Sequence, residues 1–277
     1  MCARECGGDA GPARVSAVAA KKGTVQVKPV RRVAASPEGA RARRIAAEEP
    51  TTPKVRRGKS YDPLAPSRVA AILDALEKTY PGAVCALDHR SAWELTVATI
   101  LSAQCTDARV NLTTPELFRR YLTPASMAAA SLPELEDLIR PTGFFRNKSK
   151  SIQGAARAVV EEFGGEVPRT MEEMLRLPGV ARKTANVVLG SWFAIASGVV
   201  VDTHVLRISR RLELTAETTP EKVELDLQRV IPETKWIDFS HMIIQHGRQI
   251  CVARTPRCLD CTLEKLCNSA DKTWSSH

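Results

Sequence analysis

Between residues 66 and 80 the apolar positions Val69, Ile72, Leu73 and Leu76 recur three and four apart, the spacing of one buried helix face. Pro81-Gly82 then ends the pattern. Ser91 is a candidate N-cap for a second helix reaching about residue 104. In it Trp93, Leu95, Val97, Ile100 and Leu101 leave little polar face, which predicts a largely buried segment. The same reading places further helices at 107–121, 132–140, 147–163, 170–176, 181–196, 203–211, 220–230 and 235–252. No stretch alternates apolar and polar residues over a strand's length, and the β-branched run 199–201 is too short to build a sheet. The expected fold is therefore all-α, with short connections between helices and no internal repeat.

Composition changes this picture only at the N-terminus. The chain has 277 residues, 44% of them apolar, enough for one large domain or two modest ones. No apolar run reaches membrane-spanning length. The formal charge is +9, but the first 60 residues hold 14 Lys+Arg against 5 Asp+Glu, so the remainder is balanced. Residues 1–60 are rich in Ala, Arg, Lys and Pro and poor in periodic apolar positions, which predicts a disordered basic tail. Such a tail suits non-specific phosphate binding. A solvated leader or an organellar transit peptide has the same composition, whereas the apolar core of a secretory signal is missing.

The eight cysteines divide by position. Cys2 and Cys6 fall in the tail, and Cys85 and Cys105 read as core thiols. Cys251, Cys258, Cys261 and Cys267 form a Cys-x6-Cys-x2-Cys-x5-Cys run able to wrap one metal centre. Zinc sites of four cysteines usually come as two short knuckles, and only the 258/261 pair is one here, so the spacing favours an iron–sulfur cluster with zinc as the rival. Arg254 and Arg257 lie on the loop between the first two ligands and suit phosphate contact.

Residues 177–185 read Leu-Pro-Gly-Val-Ala-Arg-Lys-Thr-Ala. A Pro-Gly turn leading into a helix start presents outward-pointing N–H groups that bind phosphate, and Lys183 sits beside them. An amine must lose a proton to attack carbon, and the helix start with Arg182 supplies positive potential that favours the loss. Asp202 follows in Val-Val-Val-Asp-Thr-His, with His204 two residues on. Taken alone, Asp202 reads as a helix N-cap, and a capping carboxylate can also accept a proton and stabilise positive charge. An amine that displaces a base at a sugar C1′ leaves a covalent adduct that can open to a Schiff base, so Lys183 implies strand cleavage as well as base removal.

Together the Leu-Pro-Gly-Val-Ala-Arg-Lys-Thr-Ala-Asn-Val-Val hairpin, the Val-Asp-Thr-His segment and the cysteine spacing closely resemble the endonuclease III family, bifunctional DNA glycosylase/AP lyases of the helix-hairpin-helix superfamily. Leu-Ser-Ala-Gln-Cys-Thr-Asp at 101–107 and Ile-Gln-His-Gly-Arg at 244–248 match as well, and the resemblance covers about residues 65–268. It implies two helical domains flanking a DNA-binding cleft: a six-helix barrel at 85–195 and a discontinuous cluster domain from 61–84 and 196–277. It implies a [4Fe–4S] cluster on the four cysteines and Lys183 facing Asp202 across the cleft, with Ser102, Asp107 and His204 in the pocket. A damaged base, an oxidised pyrimidine, would be flipped out of duplex DNA. Gln104 would fill the hole left behind, Phe144 would wedge into the opposite strand, and Gly179, Ala181, Arg182, Arg254 and Arg257 would hold the backbone. A monomer in the cytoplasm or nucleoid is expected. Two departures stand out: Phe144 replaces the leucine of many members, and Ala181 replaces the second hairpin glycine. The alanine is tolerated if that position is helical, which is the expectation.

Two other functions compete. The adenine-mismatch glycosylases share hairpin, aspartate and cluster, but typically lack the lysine and carry a further domain. A non-catalytic DNA-binding iron–sulfur protein would keep the fold without a Schiff base.

Overall fold

The computed structural model describes residues 61–275. The expected basic tail, 1–60, lies outside the described residues, as do Cys2 and Cys6. Among the described residues the architecture is all-helical, with no strand, and the run 199–201 is buried chain without regular structure. The helices are α1 (Pro66–Thr79), α2 (Ala92–Leu101), α3 (Asp107–Arg120), α4 (Pro124–Ala128), α5 (Leu132–Ile139), α6 (Phe145–Phe163), α7 (Met171–Met174), α8 (Arg182–Ser191), α9 (Thr203–Arg211), α10 (Pro220–Val230) and α11 (Trp236–Gln249).

Local chemistry sets most of the boundaries. Ser91 Oγ accepts the Glu94 N–H at 3.1 Å and starts α2, as the sequence predicts. Gly164, at φ +61°, closes α6 in the left-handed conformation that a side chain disfavours. Several boundaries differ from expectation. The helix expected over 181–196 ends at Ser191, the one expected over 235–252 ends at Gln249, and the chain turns before Cys251. The short α4 has no counterpart in the pattern: a capping box between Thr123 and Ser126, with Pro124 at its first position, holds a helix too brief to show a period.

Two hydrophobic clusters form. One gathers side chains of α2 to α8, including Leu95, Leu101, Leu117, Met127, Ile139, Ile152 and Leu189. The other gathers α1 with α9, α10 and α11, including Ile72, Leu76, Ile208, Leu227 and Phe239. Every residue of α2 is buried. Its polar side chains turn inward on the backbone: Thr96 and Thr99 hydroxyls donate to the Ala92 and Leu95 carbonyls at 2.8 and 2.7 Å, and Glu94 accepts the Arg90 N–H at 2.7 Å. The segment from Trp192 to Val201 carries the chain from the first cluster to the second.

Candidate active site and cysteine centre

The hairpin turn is seated on α6 by two close approaches. Gly179 has φ +79°, and a Cβ there would lie 2.6 Å from Ser151 Cβ. Pro178 packs against Gly154, where an added Cβ would lie 3.1 Å from its own. Ala181 corrects the helical expectation. It is the extended N-cap of α8, at φ −94° and ψ 170°. The angle is negative, so alanine is unstrained, and the positive φ of the turn falls on Gly179. An alanine cap offers no side-chain acceptor. The first N–H groups of α8 are therefore open to an anion. Lys183, in that first turn, is exposed.

Arg182 carries an ion pair that its sequence surroundings do not announce. Its guanidinium is held by Glu224 of α10 through bonds of 2.9 and 3.0 Å, and this pairing raises the Arg182 pKa. Glu224 is buried and also accepts from Asn186 Nδ2 at 3.0 Å, and Ser197 Oγ donates to Asn186 Oδ1 at 2.9 Å.

Asp202 is the N-cap of α9. Its Oδ1 accepts the His204 and Val205 N–H groups, both at 2.8 Å, while Oδ2 carries no hydrogen bond among the described residues. Lys183, Asp202, Ser102, Asp107 and His204 all line one cavity of about 880 Å³, lying among α2, α3, α8, α9 and α11. Asp107 is paired across it with Arg248 of α11 at 2.5 Å. His204 lies against Gly247, where a Cβ would come within 2.6 Å of its Nδ1. Burial pushes the His204 pKa down, partly opposed by the Asp202 carboxylate.

Gln104 and Phe144 do not line the cavity. Both are exposed, and both are non-glycine residues in the left-handed region, at φ 53° and 49°. Arg254 is exposed on the cysteine loop, whereas Arg257 is paired to Asp260 at 2.8 Å and is less free for phosphate than the sequence suggests.

The four C-terminal cysteines line a second cavity. Arg211 Nη1 donates to Cys251 Sγ at 3.1 Å, the Thr273 N–H to Cys258 Sγ at 3.4 Å, and His246 Nε2 lies 3.5 Å from Cys261 Sγ. Burial pushes the Cys261 thiol up to about 12, and the neighbouring Cys251, Cys267 and Cys258 add to the rise. Among the described residues, no three acidic, His or Cys side chains are already drawn to metal-ligating spacing. The donor chemistry nevertheless fits a thiolate-bound centre: four sulfurs face one space, and N–H groups are aimed at them.

Residues 97–233 match the HhH-GPD superfamily of base excision DNA repair proteins. Endonuclease III of Synechocystis sp. is 58% identical over 203 residues, covering 73% of this chain and 93% of that protein. Endonuclease III of Escherichia coli K12 is 37% identical over 201 residues, covering 73% and 95%. The chain belongs to the endonuclease III family. It is accordingly a base-excision DNA repair enzyme of the glycosylase/AP lyase class. A solved trapped endonuclease III–DNA covalent intermediate, an estranged-adenine complex, is 42% identical with a TM-score of 0.70, covering 74% of this chain and 96% of that one. A thermostable thymine-DNA glycosylase, 24% identical with a TM-score of 0.62, shares the fold.

Sequence alone gave no site role to some residues that line this endonuclease III-family cavity. His241, Gln245 and Arg248 line it from one face of α11, and Cys85 and Cys105, read as core thiols, line it too while packing partly on the first core. The three α11 positions are spaced four and three apart, so helical periodicity held the signal, but only a known cleft says which face matters.

Proposed function

We propose that this endonuclease III-family chain excises oxidised pyrimidines from duplex DNA through Lys183 and then cleaves the strand on the 3′ side. The observation that carries the reading is the meeting of Lys183 and Asp202 in one cavity, with Asp202 Oδ2 unengaged. Two solved relatives are described as endonuclease III bound to DNA, one of them covalently. The two cores would form two lobes, 85–195 and 61–84 with 196–277, and a single chain would hold the duplex at the cleft between them.

The chemistry follows from the placement. A base cannot be reached inside the stack, so the lesion nucleotide swings into the cavity. The α8 N–H groups and the Pro178-Gly179 turn take a backbone phosphate. Asp202 Oδ2 accepts a proton from the Lys183 ammonium, while Oδ1 stays fixed by its two capping bonds. The Lys183 amine forms a bond to C1′, the C1′–N bond breaks, and its electron pair leaves with the base, which takes up a proton. Opening of the sugar ring gives the iminium. Loss of the C2′ proton then expels the 3′ phosphate, and water releases the lysine. The carboxylate at the α9 start also stabilises positive charge developing on the sugar.

Cys251, Cys258, Cys261 and Cys267 would hold a [4Fe–4S] cluster. When bound, such a cluster supplies a four-point covalent brace for the loop that carries Arg254. Iron and acid-labile sulfide analysis of the purified protein, lost in Cys258→Ser, tests this assignment.

Borohydride trapping on duplexes carrying thymine glycol, dihydrouracil or an abasic site tests the reaction. The wild-type chain should give a covalent adduct and a nicked strand on each, and Lys183→Ala should give neither. An undiminished adduct in Lys183→Ala would overturn the assignment of the nucleophile.

A further inference from the structure

Lys148 lies in the first turn of α6 and is only 5% exposed. Its Nζ donates to two backbone carbonyls, Leu101 O and Thr142 O, each at 2.8 Å. No carboxylate pairs with it among the described residues. A buried ammonium without a counter-ion is expensive, and the two carbonyl bonds offset only part of that cost. Burial alone pushes its pKa below the ordinary lysine value, opposed only by nearby Cys105.

What the ammonium joins is informative. Leu101 ends α2, and Gln104 follows three residues later. Thr142 ends the short 3-10 turn Arg140–Thr142, and Phe144 follows two residues later. Both carbonyls belong to the last turns of helices, where acceptors lack intrahelical partners and the dipole is negative. Both loops then bring a bulky, exposed residue through the left-handed region, at φ 53° for Gln104 and 49° for Phe144. Such conformations persist only when the surroundings fix them.

We propose that Lys148 is a positioning residue that ties the Gln104 and Phe144 loops to one charged point and so sets the spacing at which both side chains enter the duplex. The proposal rests on the reading that these two residues insert into DNA. Lys148 touches no substrate. It acts through the two loops, so it should matter when a base must be expelled and its partner supported. It should be silent when no stack has to be opened.

The test is a double-mutant cycle read on two substrates. In Lys148→Met, single-turnover excision of dihydrouracil from a duplex should fall about ten-fold or more, the scale of misplaced groups acting at a distance. Borohydride trapping on an abasic site in single-stranded DNA should stay within about two-fold of wild type, since nothing there needs insertion. In a Gln104→Ala/Phe144→Ala background, adding Lys148→Met should cause no further loss on the duplex. Fluorescence of 2-aminopurine opposite an abasic analogue should report a less unstacked base in Lys148→Met. Lys148→Gln keeps a neutral donor for the same carbonyls, should recover part of the duplex rate, and carries the cycle if Lys148→Met does not fold. Equal losses on both substrates, or losses that add to those of the loop variants, would overturn the role of Lys148. An unchanged duplex rate in Gln104→Ala/Phe144→Ala would instead remove the insertion reading, and the proposal with it.

Discussion

Asp202 caps α9 and, in the proposed mechanism, also accepts a proton, two tasks that a single substitution separates. Asparagine caps a helix about as well as aspartate, but it cannot accept a proton. Asp202→Asn should therefore unfold within about 0.5 kcal/mol of wild type while base excision falls at least about a hundred-fold. Urea unfolding and single-turnover assays read the two effects. The hairpin offers a second contrast. Gly179 combines φ +79° with a Cβ position 2.6 Å from Ser151, so Gly179→Ala should lose about 2 kcal/mol of stability and weaken DNA binding. Ala181 sits at an ordinary extended angle, so restoring glycine there should lower stability by about 0.5 kcal/mol and leave affinity unchanged. At this scale the sequence was informative about Lys183, Asp202 and the four sulfurs, because spacing and chemistry point to them. It was silent about the partner of Arg182. Its partner Glu224 lies 42 positions away on another helix, and no local pattern announces a long-range ion pair.

Between elements, the chain Arg182–Glu224–Asn186–Ser197 ties α8 to α10 and to the segment leading toward Asp202. Gly198 leaves room for it, since a side chain there would collide with Glu224. The helix bearing the amine and the strand of chain bearing the carboxylate are thus gripped by one buried carboxylate. Glu224→Ala leaves the Asn186 amide without its acceptor, but Arg182 is partly exposed and can turn to water. A loss of about 2 kcal/mol is expected in thermal or urea unfolding. Excision should slow more than phosphate affinity falls, because the misalignment separates amine from carboxylate. Most helices were legible from apolar periodicity, and Ser91 marked its own boundary. α4 was not, since five residues cannot display a period and its stability comes from a cap and from packing on α6.

Over the whole molecule, charge and cavity obey different rules. The excess of +9 lies within residues 1–60, while 61–277 is balanced. In the proposed function, local features of the body such as the α8 start and Arg254 supply its part of the grip on DNA. A chain lacking residues 1–60 should show a shallower slope of log K against log salt in duplex binding, and equal slopes would refute phosphate binding by the tail. The cavity itself was not written in any one segment. Its walls come from residues 82–87, 99–108, 183–187, 202–204 and 241–249, so only the fold states which of their side chains meet.

The complete burial of α2 has a consequence for motion. A helix with no solvent face offers no site for partial fraying, so its amide protons should exchange with deuterium only when the entire first core opens. Leu101, its final residue, is three positions from Gln104. The side chain proposed to probe the double helix should thus be rooted in a slow-exchanging part of the protein, a stiff shaft behind an exposed tip.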